Sequence, residues 1–296
     1  MKSWRLGSYK SILADLSLVG ICVIWGTSFA IVKTVLGDTN PATFIAARFV
    51  LATVLLGLVA GRRLRGLDWE YCKAGFALAI PLMLGFLTQT RGLQGTTASK
   101  AGFITGMHVV FTLFLEQKVL KNRIMPYQIT GVGVAVAGLG LLTLDRLSPP
   151  TYGDILILVC AFCFAVHIIL LARYSPTMDG LLLSFTQMAW AAVFSVLAAG
   201  SDIVQIFQFD KDLVLSVAYL GATGTALAYL VQTTAQKYTP PTRAALILQT
   251  EPIFTSIFAR LWLGERLSVQ QAIGAILILA GILLCQVGDI KRSREV

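Results

Sequence analysis

Charged side chains are scarce in this chain. Asp, Glu, Lys and Arg make up 13% of its 296 residues, whereas about a quarter of the residues in soluble domains are charged. Hydrophobic residues make up 56% of the chain, and the mean hydropathy is +0.76. So little charge cannot cover a surface that faces water. The composition therefore excludes an ordinary water-soluble enzyme and favours a membrane protein.

Motifs of enzymes and nucleotide-driven pumps are also missing. The sequence has no G-x-S-x-G nucleophile elbow, no H-E-x-x-H zinc site and no P-loop. We therefore expect no cofactor and no enzymatic activity, with an enzyme inside the membrane as the rival class. Cysteines lie mostly within apolar stretches, so the Cys160-x-x-Cys163 pair is interpreted as packing and not as a redox motif.

Hydrophobic stretches fill nearly the whole sequence. A helix needs about 20 mainly apolar residues to cross about 30 Å of hydrocarbon. Short turns rich in Gly, Pro, Asp and Asn separate ten such stretches, which are 15–34, 41–60, 72–90, 97–116, 125–144, 153–172, 180–200, 213–234, 241–260 and 267–287. The sequence predicts an all-α membrane protein with ten transmembrane helices.

The basic residues indicate the orientation of these helices. Lys and Arg of short loops are retained on the cytoplasmic side. With the N-terminus inside, roughly 16 basic residues face the cytoplasm and about seven face outside, while Arg48 lies within the membrane. We therefore expect a multi-pass protein of the cell (inner) membrane with both termini cytoplasmic. The net charge of +9 is explained by this topology, and we expect no nucleic-acid partner.

The two halves of the chain resemble each other. A shift of 143 residues superposes polar and glycine positions as well as apolar ones, placing Gln89, Lys100, Gly131 and Gly138 over Gln232, Arg243, Gly274 and Gly281. A shift of about 139 places Arg48 over Gln187. Because each half has an odd number of crossings, the second copy must enter the membrane from the opposite face. We predict two inverted five-helix repeats, at residues 1–146 and 147–296.

Several motifs occur in order along the two copies. They include Trp25-Gly26-Thr27-Ser28-Phe29 and Ala47-Arg48-Phe49 in the first copy, and Glu251-Pro252-Ile253-Phe254 and Leu263-Gly264-Glu265-Arg266 in the second. With these motifs, almost the whole chain resembles the EamA-type transporters of the drug/metabolite transporter superfamily. The resemblance is specific for the superfamily and not for a substrate.

The resemblance implies a carrier that moves a small-molecule substrate across the lipid bilayer. Similar members export amino acids or other small metabolites, and more distant relatives carry nucleotide sugars or phosphorylated sugars. We therefore expect a secondary-active transporter that exports amino acids or similar small metabolites by alternating access. The alternatives are a membrane-integral enzyme and a structural membrane subunit that transports nothing. A coupling proton and a homodimer are further partners to test.

Polar side chains inside hydrocarbon are costly, so they usually face the interior of a helix bundle. His108 and Glu251 are related by the shift of 143 residues and lie near the middle of the fourth and ninth predicted helices. Transporters with inverted repeats bind substrate at such a midplane position. We predict that both line a central site and that one exchanges a proton. Alternatively, Glu251 stabilises the ninth helix where Pro252 interrupts it, a break also expected at Pro81 in the third helix.

The remaining candidates have similar alternatives. Arg48 and Gln187 occupy matching depths from opposite faces, where Arg48 could bind a carboxylate or a phosphate, or bond only to carbonyls of a neighbouring helix. Gln89 and Gln232 are predicted gates, or else interhelical hydrogen-bonding residues. The complete set of candidate substrate-binding residues is Trp25, Arg48, Gln89, His108, Gln187, Tyr229, Gln232, Gln249 and Glu251.

Overall fold

The structure, a computed structural model, describes residues 9–35, 40–96, 98–143, 149–263 and 268–295. These ranges are almost entirely helical and contain no strand. The α-helices are α1 Tyr9–Val35, α2 Pro41–Ala60, α3 Trp69–Gln94, α4 Ala98–Gly106, α5 His108–Leu120, α6 Pro126–Thr143, α7 Tyr152–Tyr174, α8 Gly180–Ala199, α9 Lys211–Tyr219, α10 Ala228–Ala235, α11 Pro241–Leu248, α12 Glu251–Leu263 and α13 Val269–Glu295. Short 3₁₀ helices follow α2 and α8, and a π-helical segment, Leu220–Leu227, joins α9 to α10.

The helices agree with the predicted membrane character of the chain. Nine segments within the described ranges are long and apolar enough to cross a membrane. They coincide with nine of the predicted stretches. The predicted stretch 241–260 corresponds to α11 and α12, which are separated by Gln249 and Thr250. The prediction of an all-helical membrane fold is confirmed.

Two predicted helices are interrupted at their centres. Met107 separates α4 from α5, and Gln249 and Thr250 separate α11 from α12. Pro252 is the second residue of α12, a position where proline costs no intrahelical hydrogen bond. By contrast, α3 runs through Pro81, so the expected break there is wrong.

Close packing flanks the proline inside the continuous helix α3. A Cβ atom at Gly75 would overlap Thr186 of α8, and one at Gly85 would overlap the ring of Phe164 in α7. Both glycines therefore let a neighbouring helix approach α3 at van der Waals distance. Neighbours this close on either side of Pro81 favour an unbroken path.

Glycines also bring α6 and α13 into backbone contact. A Cβ atom at Gly131 would lie 2.8 Å from the carbonyl oxygen of Gly281, and one at Gly138 would lie 2.6 Å from that of Gly274. Small residues permit this approach, and dispersion contacts between helices favour it within a bilayer. Because the earlier glycine of α6 meets the later glycine of α13, the two helices are antiparallel.

Candidate functional site

The two interrupted helices meet at their breaks. The Gln249 side chain, 1% exposed, donates from Nε2 to the carbonyl oxygen of Gly106 at 2.8 Å. His108 begins α5 immediately after one break, and Glu251 begins α12 immediately after the other. A break leaves carbonyl and amide groups without their usual intrahelical partners. The Gln249 amide therefore satisfies a carbonyl that the interruption of the other helix releases.

Several polar atoms around these breaks have no protein partner. The His108 ring is hydrogen-bonded through Nδ1 to the carbonyl oxygen of Thr105 at 2.9 Å. Within the described part of the chain, His108 Nε2, Thr105 Oγ1 and Gln249 Oε1 are buried with no hydrogen-bond partner. Buried polar atoms are normally paired because leaving them unpaired is costly. These three atoms identify the junction of the breaks as a place suited to a further polar group.

Arg48 occupies a second polar position, on α2. Its side chain is buried, and Nη2 donates to Thr225 Oγ1 of the π-helical segment at 3.1 Å. The guanidinium lies 5.8 Å from the ring centroid of Phe44 and 5.7 Å from that of Phe86, within the range of cation–π attraction. In the described ranges Arg48 has no carboxylate partner. These contacts do not support the alternative prediction that Arg48 bonds only to carbonyl oxygens of a neighbouring helix.

Aromatic rings connect Arg48 to the broken helices. The Tyr229 ring lies 5.7 Å from the Trp25 ring and 6.5 Å from the Phe86 ring, measured between centroids. Trp25 Nε1 donates to the carbonyl oxygen of Gly224 at 2.8 Å, which fixes the indole against the π-helical segment. These residues lie on α1, α3 and α10, so three helices contribute one aromatic wall.

Glu251 begins α12 close to this wall. A Cβ atom at Gly26, next to Trp25 in α1, would lie 2.8 Å from Phe254 Cβ, so the first turn of α12 packs against α1 at the wall. The Glu251 side chain is half-buried and has no ion-pair partner among the described residues. This position gives the surroundings of the wall an acidic group.

Gln187 belongs to a separate network. It is completely buried, accepts or shares a hydrogen bond with His167 Nε2 at 3.0 Å through Oε1, and donates from Nε2 to Thr233 Oγ1 at 2.9 Å. Both ends of the amide are thus used to hold α7, α8 and α10 together. The network touches the aromatic wall because the His167 ring lies 5.8 Å from the Tyr229 ring.

The two glutamines predicted as gates lie outside this cluster. Gln89 is half-buried on α3, and within the part of the chain that the structure describes no hydrogen bond links it to the aromatic wall. Gln232 is buried on α10 and donates to Gln236 Oε1 at 3.3 Å, which in turn bonds from Nε2 to the carbonyl oxygen of Ile168 at 3.0 Å. The structure therefore brings together Trp25, Arg48 and Tyr229 with Glu251 close by, and it brings Gln249 to the break that precedes His108.

Two residues that contribute to the site were not predicted from the sequence. Gly224 accepts from Trp25 and Thr225 accepts from Arg48, and both lie in the π-helical segment. Segments of this kind occur frequently at functional sites because they expose backbone groups and redirect side chains. The signal was the clustering of small residues in Gly221-Ala222-Thr223-Gly224-Thr225, an unusual run inside a hydrophobic helix.

The chemistry of the site favours binding over catalysis. It offers a cation, a carboxyl group and aromatic surface, the kinds of groups that bind polar organic solutes. No group of three or more His, Cys, Asp or Glu side chains suited to a metal ion occurs in the ranges that the structure describes.

Known proteins that are similar to this chain are described as transporters. A sequence model of the EamA-like transporter family matches residues 12–144 and again residues 151–286. An uncharacterized transporter of Archaeoglobus fulgidus is 32% identical over 93% of this chain and 86% of its own. A probable amino-acid metabolite efflux pump of Salmonella typhimurium is 25% identical over 93% of this chain and 96% of its own.

A second probable amino-acid metabolite efflux pump, from Escherichia coli, is 24% identical over 88% of this chain and 91% of its own. One crystal structure is similar to the fold, with a TM-score of 0.75 at 17% identity, covering 95% of this chain and 98% of the other. At that identity the likeness shows the fold alone. The two family matches extend over nearly the whole chain. The chain belongs to the EamA-like transporter family and is a membrane transporter, not an enzyme.

Proposed function

We propose that the chain is a secondary-active transporter that exports amino acids or similar small metabolites by alternating access. Two relatives are described as probable amino-acid metabolite efflux pumps, which supports the substrate class and the direction. The observation that carries the mechanism is the junction of the two broken helices, where Gln249 bonds to Gly106. Transporters built from inverted repeats bind their substrates where such helices are interrupted at the midplane.

Three contacts between the two halves support the inverted repeat itself. Gln249 bonds to the residue that lies 143 positions before it, which is its own counterpart in the first copy. A residue touches its counterpart only close to a two-fold axis. The contacts of Gly131 with Gly281 and of Gly138 with Gly274 also exchange with one another under the same shift. Both observations are expected of two antiparallel copies.

We therefore retain the repeats at residues 1–146 and 147–296 and propose ten crossings, with α11 and α12 together forming the ninth. The two separate family matches support this division. The bias of Lys and Arg supports placing both termini in the cytoplasm and the protein in the inner membrane. A homodimer and the lack of a nucleic-acid partner remain predictions.

Within the site, the residues divide by their contacts. Ring contacts connect Trp25 and Tyr229 to Phe86, which Arg48 also contacts, and Glu251 begins α12 close to Trp25, which supports a direct role of these residues in binding. Gln187 has protein partners for both ends of its amide, which supports the structural alternative. His108 and Gln249 occupy the junction and are proposed to bind there. Gln89 and Gln232 remain proposed gates.

Glu251 and His108 are the proposed proton-handling residues. Glu251 has no ion-pair partner among the described residues, and His108 Nε2 has no hydrogen-bond partner there. Both groups could therefore gain or lose a proton without breaking an ion pair. Proton-linked uptake should be measured in everted vesicles for Glu251→Gln and for His108→Ala. Unaltered coupling in both variants would remove the proton proposal.

Counterflow in proteoliposomes tests the transport proposal. Purified protein is reconstituted with a high internal concentration of unlabelled amino acid, and the entry of the labelled amino acid is followed. We expect transient accumulation, because a carrier with alternating access exchanges solute across its cycle. A panel of amino acids, nucleosides and sugars identifies the class. Absence of exchange for the whole panel would favour the structural subunit.

A further inference from the structure

The 3₁₀ helix Gly61–Gly66, which joins α2 to α3, carries three exposed arginines. Side chains three residues apart lie one above the other in a 3₁₀ helix, because each turn contains three residues. Arg62 and Arg65 therefore share one face of this helix and are about 6 Å apart along its axis. Arg63 lies on another face, where its Nη1 is 3.9 Å from Asp179 Oδ2 at the start of α8. The helix thus presents two stacked guanidinium groups on one side.

Acidic side chains that follow this helix already have partners. Asp68 Oδ1 accepts from two backbone N–H groups in the first turn of α3, at 2.9 and 3.1 Å. Glu70 Oε1 accepts from Lys73 Nζ at 3.1 Å. Within the described part of the chain, neither Arg62 nor Arg65 forms an ion pair. Both guanidinium groups are therefore available to an anion from outside the chain.

The stacked arginines lie where the hydrocarbon layer ends. The last turn of α2, a candidate membrane span, exposes Leu58 and Val59 by 74% and 68%. Exposed apolar side chains of a span face lipid tails, which are equally apolar. On the other side of the 3₁₀ helix, Trp69 begins α3 and is also exposed, and tryptophan is enriched where a membrane meets water. Arg62 and Arg65, between these markers, are therefore at the depth of lipid headgroups.

A second 3₁₀ helix, Gly200–Gln208, repeats this turn at the opposite end of α2. Each of the two begins at a glycine with a positive φ, 48° at Gly61 and 56° at Gly200. The second helix contacts the start of α2, where Asn40 Nδ2 donates to Asp202 Oδ2 at 2.5 Å. An α-helix of this length extends about 30 Å. The two turns are therefore on opposite faces of the membrane.

The second turn has no stacked pair of arginines. The 139-residue shift places Ser201 over Arg62 and Val204 over Arg65. Arginine at these positions is thus not required to form the turn. Orientation of the chain is also an incomplete explanation, because it needs basic residues anywhere in a short cytoplasmic loop and not on one face of a helix.

We propose that Arg62 and Arg65 bind the phosphate of an anionic phospholipid, with phosphatidylglycerol as the representative headgroup. A guanidinium offers parallel N–H donors that match phosphate oxygens. The exposed side chains of Leu58 and Val59 contact the acyl chains of the same lipid. A zwitterionic lipid binds less tightly, because its own ammonium group offsets the phosphate charge. In the proposed orientation this lipid belongs to the cytoplasmic leaflet, whose anionic lipids attract basic segments.

Native mass spectrometry tests lipid retention. Purified protein in detergent is mixed with equal concentrations of phosphatidylglycerol and phosphatidylcholine with the same acyl chains, and the fraction of protein that retains each lipid is recorded. We expect the first phosphatidylglycerol to bind at least about fivefold more tightly, the ratio that one basic residue near anionic headgroups produces. Both ends of the protein are accessible in detergent, so the result depends neither on orientation nor on transport.

Paired variants assign this preference to the stacked arginines. Arg62→Gln combined with Arg65→Gln should abolish it, whereas Arg62→Lys combined with Arg65→Lys keeps the charges and should retain part of it. Arg63→Gln combined with Arg173→Gln removes two exposed arginines that do not stack on each other and should leave the preference intact. All four arginines are exposed, so unfolding temperatures without lipid should agree among the variants, which separates lipid binding from misfolding.

Each result supports or overturns the lipid site. Equal retention of the two lipids would overturn it, and so would a preference that survives in the Arg62→Gln, Arg65→Gln variant. Equal losses in this variant and in the Arg63→Gln, Arg173→Gln control would show a general attraction to the basic face and reject the stacked site. Inorganic phosphate is added as a competitor in a further arm. Displacement of phosphatidylglycerol by an equal concentration of phosphate would assign the arginines to free phosphate and reject the lipid.

Discussion

Two polar clusters in the molecule follow the same plan with different partners. In the Asp15 cluster, Asp15 of α1 accepts a hydrogen bond from Thr239 at 2.9 Å and pairs with Arg243 of α11. In the Asp154 cluster, Asp154 of α7 accepts from Thr96 at 2.5 Å, just after the end of α3. The 143-residue shift places Thr96 over Thr239, and the 139-residue shift places Asp15 over Asp154. In the proposed architecture the clusters lie at opposite ends of the bundle.

The two clusters differ in the second partner of the aspartate. Arg243 is 1% exposed, so the Asp15 cluster contains a buried ion pair. Asp154 instead accepts from the backbone N–H of Thr151 at 2.8 Å, while the Thr151 hydroxyl accepts from the backbone N–H of Asp154 at 3.2 Å. This reciprocal arrangement is a capping box at the start of α7. One carboxylate–threonine contact can thus belong either to a buried ion pair or to a helix cap, and the free energy that it stabilises differs accordingly.

The largest effect is expected from Arg243→Ala. Removing the cation leaves Asp15 buried without its charge partner, which costs about 3–5 kcal/mol in comparable buried pairs. The free energy of unfolding should fall by that amount, measured by reversible denaturation in mixed micelles. Arg65→Ala, at an exposed position, is the matched control and should change little. Equal losses in the two variants would show that the ion pair does not stabilise the cluster.

A double variant tests whether Asp15 and Arg243 interact directly. Asp15→Ala combined with Arg243→Ala removes both charges, so no unpaired charge remains in the interior. We expect the double variant to lose less stability than the sum of the two single losses, because residues in contact are not additive. Additive losses would contradict a direct pair.

An intermediate effect is expected from Glu116→Ala. Glu116 Oε2 accepts from the backbone N–H of Thr242 at 3.0 Å and from its hydroxyl at 2.6 Å, and Oε1 accepts from Asn122 at 3.0 Å. The shift places Ala259 over Glu116, so the second copy has no carboxylate at the matching position. Loss of hydrogen bonds to a charged group should reduce the free energy of unfolding by about 1.5–3 kcal/mol.

The exposed carboxylate of Glu70 provides the control for Glu116. Glu70→Ala removes a surface pair with Lys73, and such pairs contribute about 0–1 kcal/mol. If Glu116→Ala loses no more free energy of unfolding than Glu70→Ala, the Glu116 carboxylate does not stabilise the fold.

A smaller effect is expected from Asp154→Ala. The substitution removes half of the capping box and the bond to Thr96, and loss of a cap typically costs about 0.5–2 kcal/mol. Unfolding of this variant is compared with that of Thr151→Ala, which removes the other half. If Asp154→Ala loses as much free energy of unfolding as Arg243→Ala, the two clusters do not differ in their contribution to stability.

Cysteine substitution of the two threonines is expected to report alternating access rather than stability. Thr96→Cys and Thr239→Cys are introduced separately after replacement of the native cysteines, and the rate of maleimide labelling is measured. Conditions that raise the labelling rate at one position should lower it at the other, because only one face opens at a time. Rates that rise together would contradict the proposed mechanism.

Much of this architecture was predictable because its causes are local or repeated. Apolar stretches of sufficient length marked nine of the candidate spans, since hydrocarbon thickness fixes helix length. The 143-residue shift related His108 to Glu251, and the structure places each at the first residue of a half-helix. Pro252 also marked the start of α12.

Other features were not predictable from local pattern. The fourth predicted helix breaks at Met107 without a proline, whereas α3 continues through Pro81. Around Pro81, the close approach of α7 and α8 at Gly85 and Gly75 accompanies the unbroken helix. The π-helical segment was missed for a related reason, because its Gly and Thr residues acquire a role only when Trp25 and Arg48 approach from other helices.

The membrane character, the helical segments and the pairs of related polar positions follow from the sequence alone, because burial in lipid and the similarity of the two halves both leave a pattern along the chain. Which polar groups bond to one another follows from the packing of the helices. Gln187 bonds to His167 and Thr233, whereas Arg48 bonds to Thr225 and has no carboxylate partner among the described residues. Hydrogen bonds depend on distances between helices far apart in sequence, so the groups available to a substrate emerge only when the bundle is assembled.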